Sequence, residues 1–64
     1  MSKLEQRVLY MTQNFNKTGH NYSVSTRNKI LAALRLIEAG VLVEVSRKQF
    51  PGKQRPYWLE LKLA

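Results

Sequence analysis

The sequence predicts an α+β domain, two helices followed by a C-terminal β-hairpin. Apolar residues recur at helical spacing over 3–15 and again over 27–39. Past Gly40 the period drops to two, in the runs 41–46 and 57–63. Between those runs stands Phe50-Pro51-Gly52, a turn signal. At 64 residues there is room for one domain, 1–64, with no internal repeat, linker or low-complexity tract. A domain this small buries only about 60% of the surface its unfolded chain exposes, so a few core residues must carry its stability.

In the first helix Leu4, Val8, Met11 and Phe15 form one narrow stripe. Ser2 precedes it and Glu5 lies three positions on, the pattern of a capping box. Gly19 can end it with a left-handed turn. Residues 20–25 read as a polar connection holding one aromatic residue, Tyr22. The second helix, capped by Ser25 or Ser23, runs to Ala39 and stops at Gly40. Its core stripe is Ile30, Ala33, Leu34 and Ile37, flanked by Leu31 and Leu36, so it is apolar over much of its circumference. Ser25, Asn28, Ala32, Arg35 and Ala39 line the opposite face.

In the hairpin the three valines, Val41, Val43 and Val45, point one way and Leu42, Glu44 and Ser46 the other. Tyr57, Leu59, Leu61 and Leu63 share one face of the second strand. Pairing Val45 with Tyr57 and Val43 with Leu59 joins the apolar faces and requires an odd-numbered loop. The expected core is Leu4, Val8, Met11, Phe15, Ile30, Leu34, Ile37, Val43, Leu59 and Leu61. Tyr57 belongs with it. Trp58, on the other face, covers the hairpin, meets a second copy or stacks on a base, and Phe50 folds back or wedges into a groove.

Composition narrows the function. Hydrophobic residues make up 44% of the chain and aromatics 9%, too many for a disordered tail. There is no cysteine, hence no disulfide or Cys-based zinc site, and His20 alone makes no metal centre. No apolar run approaches the ~20 residues of a membrane span. The first residues lack a signal peptide's apolar core, so the expected location is cytoplasmic. No paired carboxylates, nucleophile–base arrangement or glycine-rich phosphate loop occurs, and no enzyme activity or cofactor is expected. Eleven Lys and Arg against four acids give a net charge of +7, a field that attracts polyanions. A core this small also favours pairing with a second copy, and a homodimer is expected.

The cations fall in two clusters. One opens the second helix, where Ser25, Thr26, Arg27, Asn28 and Lys29 are followed by Arg35 two turns on. Small and polar residues on that face would let the backbone approach base edges, and helix N–H groups can meet a phosphate. The other is the hairpin tip, where Arg47, Lys48, Lys53 and Arg55 make four cations in the nine residues 47–55, beside Gln54 and with no acid. That density suits phosphate contact, although solvated faces and soluble hairpin tips also carry Lys and Arg.

In the stretch 25–42, Leu36, Gly40 and Leu42 stand where a helix steps into a hairpin, and the hairpin closes on Tyr57-Trp58-Leu59. This resembles the end of a winged-helix DNA-binding domain, over roughly residues 23–63. The resemblance implies major-groove contact by 25–35 and contact with backbone or minor groove by the wing, 47–55. Between first and recognition helices that family usually has another helix, for which only residues 16–24 are available, one short turn at most. The layout is closer to abbreviated two-helix forms such as phage excisionases. The implied function is a transcriptional regulator or architectural factor on double-stranded DNA. Two alternatives stand beside it: a protein-docking module using Leu9, Leu31, Leu36 and Trp58, and an RNA-binding protein, for which no aromatic RNP-like strand is present.

Overall fold

In the computed structural model, which describes residues 1–64, the first helix, α1, runs over Lys3–Lys17. The Ser2 hydroxyl accepts from the Glu5 N–H at 3.1 Å while the Glu5 carboxylate accepts from the Ser2 N–H, so the expected capping box closes. Gly19 takes φ +81° just past the helix end, a conformation open to a residue without Cβ. Val8 and Thr12 are the fully buried residues of α1. The Thr12 hydroxyl donates to the Val8 carbonyl at 2.8 Å, which satisfies its polar group inside the core. Met11 is only half-buried and Phe15 is exposed, so neither is the core residue expected; Phe15 meets Tyr22 edge-on at 5.1 Å.

Residues 20–25 are more than a connection. Tyr22–Val24 forms a strand, β1, and no helix lies between α1 and the second helix, α2 (Arg27–Glu38). The N-cap of α2 is Thr26, in place of Ser25 or Ser23, and no side chain caps it. Gly40, at φ +78°, ends the helix as expected. The buried side of α2 is Ile30, Ala32, Ala33 and Leu36, while Leu34 and Ile37 pack at its margin. The helix is therefore rotated from the expected phase, with Ala32 turned inward at 2% exposure.

The remaining strands are β2 (Leu42–Lys48) and β3 (Trp58–Leu63). The sheet is antiparallel in the order β1-β3-β2, which makes β3 central and turns the expected simple hairpin into three strands. Val24, Leu42, Leu59 and Leu61 are its buried residues, packed against Val8 and the inner side of α2. The sequence pointed Val43 and Val45 inward, but Leu42 is the buried residue and both valines are exposed.

The pairing explains why. Leu42, Val43 and Glu44 oppose Leu63, Lys62 and Leu61, whereas Ser46, Arg47 and Lys48 oppose Glu60, Leu59 and Trp58. The extra residue is Val45, a β-bulge. Neither expected pair, Val45 with Tyr57 or Val43 with Leu59, forms. The odd-numbered loop does form, spanning 49–57.

Candidate nucleic-acid interface

The bulge sets the geometry of the basic hairpin. Residues three apart on a regular strand face opposite sides, because side chains alternate. The inserted residue brings Glu44 and Arg47 to the same side of β2, opposite Leu61 and Leu59. Their side chains then form the chain's only ion pair, Nη2 to Oε1 at 2.6 Å, with Nε 3.0 Å from both carboxylate oxygens. Nη1 donates to Gln49 Oε1 at 3.0 Å. The Glu44 hydrogen bond pushes the Arg47 pKa further up, so the guanidinium stays charged. Lys48 is also engaged, its Nζ 4.9 Å above the half-buried Trp58 ring on the sheet's outer face.

Arg47 and Lys48, expected to contact DNA, thus already have partners. If the wing holds DNA as the sequence leads one to expect, replacing Arg47 by Gln lowers the salt slope of binding by clearly less than the roughly one unit expected for Lys53→Gln. Titrations at four salt concentrations measure both slopes; equal decrements would show Arg47 leaving Glu44 for a phosphate.

Past Lys48 the loop is held by its own contacts. Phe50-Pro51-Gly52-Lys53 is a tight turn in which the Lys53 N–H donates to the Phe50 carbonyl at 3.1 Å. Proline presets its second position and Gly52, at φ +79°, supplies the third. The Gln49 side-chain amide also donates to the Lys53 carbonyl. Phe50 folds back onto Tyr57, ring centroids 4.5 Å apart and 23° from parallel. Tyr57 is 44% exposed and lies outside β3, so it is a loop residue and the core placement expected for it does not hold. Pro56 is buried and anchors the loop's return.

This loop faces the start of α2. Ser25 and Arg27 on one side and Lys53, Gln54 and Arg55 on the other line a groove of about 650 Å³. Phe50 and Tyr57 form part of its wall, Ile30 and Pro56 contribute apolar surface, and no acidic side chain lines it. The α2 end that enters it has no acid in its first turn and no side-chain cap, so its leading N–H groups keep their capacity for an anion.

The other expected site residues lie outside the groove. Thr26 and Asn28 are exposed at the head of α2, Lys29 is half-buried there, and Arg35 is exposed two turns along on the side of Asn28. The outward face of α2 carries Arg27, Asn28, the half-buried Leu31, Arg35 and Glu38; of the face expected, Ser25, Asn28, Arg35 and Ala39 are exposed and Ala32 alone is buried. Three of the four acids have structural tasks: Glu5 caps α1, Glu44 holds Arg47, and Glu60 accepts from the Asn21 amide at 2.8 Å. Most of the +7 charge is left without an intramolecular partner.

Tyr57 as a groove residue was missed in the sequence, which placed it in the core; Phe50 was singled out, but not as the stacking partner of Tyr57. The available signal was two aromatics flanking a Pro-Gly turn within a run of cations. No helix is long and apolar enough to cross a membrane, and no group of three or more His, Cys, Asp or Glu residues is placed to hold a metal. Comparison with known protein families, curated proteins and solved structures finds no match to this chain.

Proposed function

We propose that the chain is a small, non-enzymatic DNA-binding protein of winged-helix type, a transcriptional regulator or architectural factor that contacts duplex DNA with α2 and the 47–55 wing. One observation carries the reading. The cations of two elements far apart in sequence, Arg27 on the helix and Lys53 and Arg55 on the loop, meet in one acid-free groove. A solvated surface has no need to converge its charges; a phosphate backbone needs such convergence. Asn28 and Arg35 project from the adjoining helix, where a side chain on regular backbone can keep a fixed angle to a base edge.

A gel shift with duplex DNA, single-stranded DNA and RNA of one sequence, at two salt concentrations, tests the proposal. Duplex binding that weakens steeply with salt is expected. Equal failure on all three probes would leave the docking-module reading, and preference for RNA would replace DNA as the ligand. Self-association belongs to the same proposal, because Val43 and Val45 are exposed at an edge strand. Sedimentation equilibrium is expected to give a mass above that of the monomer; a strictly monomeric mass with and without DNA removes it.

A further inference from the structure

We propose that the groove between the head of α2 and the 49–57 loop seats one unpaired nucleotide, its phosphate on Arg27 and Arg55 and its base on the Phe50–Tyr57 pair. The inference rests on the DNA-binding reading above and names the feature of DNA that this groove takes.

Phosphate contact accounts for the cations but not for the rings. Phe50 is 59% exposed and Tyr57 44%, although both are large enough to gain from burial. Each covers one ring face with the other, at 4.5 Å, and their remaining surface helps to wall the groove. A planar base is the partner that completes such a stack, and cations beside it take the phosphate attached to that base. The apolar surface of Ile30 and Pro56 suits a base or sugar better than bulk water. At about 650 Å³ the space lies within the ~300–1,000 Å³ range of ligand clefts and is too small for a duplex. A base paired inside a helix cannot reach the rings. One that is already unpaired reaches them with the least unstacking cost, so the groove selects distorted or locally open DNA.

The test uses fluorescence anisotropy with three DNA probes: a perfect duplex, the same duplex with three unpaired thymidines in one strand, and that strand alone. The protein is expected to bind the bulged duplex about five- to 150-fold more tightly than the perfect one, the range set by one stacked base. Phe50→Ala and Tyr57→Leu should bring the two affinities together, with the loss falling mainly on the bulged duplex. Phe50→Trp should retain the preference, and Lys53→Gln should weaken all probes alike. Both ring positions are largely exposed, and melting curves matching the parent confirm that the variants fold. No preference in the parent, or a preference that survives Phe50→Ala, overturns the inference and leaves the duplex-binding reading standing. Failure to bind any of the three probes overturns the reading itself.

Discussion

Leu36→Ala is expected to destabilise the domain by about 2–5 kcal/mol, enough to unfold much of it near body temperature. Leu36 is 2% exposed and belongs to the single core that joins α1, α2 and the sheet. Truncation leaves a cavity in the cluster to which Leu42, Leu59, Leu61 and Val8 also belong, on helix and strand backbones that hydrogen bonds fix and that can collapse only in part. A small domain has little stability to lose, because its core is small relative to its surface. Leu34→Ala should cost clearly less, since Leu34 is only partly buried at the edge of the same core. Urea titration of the two variants against the parent gives the ordering. A larger loss for Leu34 would restore the helix phase expected from the sequence and place Leu36 on the surface.

That comparison touches the point where the sequence was least decisive. A helix with Ile30, Leu31, Leu34, Leu36 and Ile37 spread around it carries little information about its own rotation. What selects the side is packing: Ala32 and Ala33 are buried, and small residues let α2 lie close to its neighbours, which the individual hydrophobicities do not report. The first helix was easier in its cap, which is local, than in its stripe, of which Val8 alone is fully buried. Even there, the buried Thr12 is visible only once its hydroxyl is seen bonded to the preceding turn.

The sheet failed for a related reason. Three valines in alternation are a strong strand signal, but alternation alone does not say which face is inside. The bulge at Val45 then shifts the register, and nothing in the residue type marks it. The strand β1 is three residues long and lies in a polar segment, too short to show a period. The candidate site was legible as charge density and not as geometry. Arg47 and Lys53 are equivalent in the sequence, yet one is tied to Glu44 and the other lines the groove.

Simultaneous replacement of Arg27, Lys53 and Arg55 by Gln is expected to give the largest functional loss. Each phosphate contact contributes about 0.9 to the slope of log affinity against log salt. Three lost contacts should therefore lower the slope by about 2.7 and weaken duplex binding about 10²–10³-fold near 0.1 M salt. The three side chains line the groove without an ion-pair partner, so their removal breaks no intramolecular bridge, and the fold should survive. Loss on specific and random duplexes should be equal, because a phosphate carries no sequence. Replacing Asn28 and Arg35 by Ala should behave differently. Each is expected to cost about 1–3 kcal/mol on the preferred site and much less on random DNA, as removal of a base-edge contact does. Anisotropy titrations of both variants on both duplexes separate the roles. Equal losses for the helix pair on specific and random DNA would mean that α2 holds the backbone without reading bases. An unchanged affinity in the groove variant would mean that its converging cations serve solvation alone, and the protein-docking reading would take the place of DNA binding.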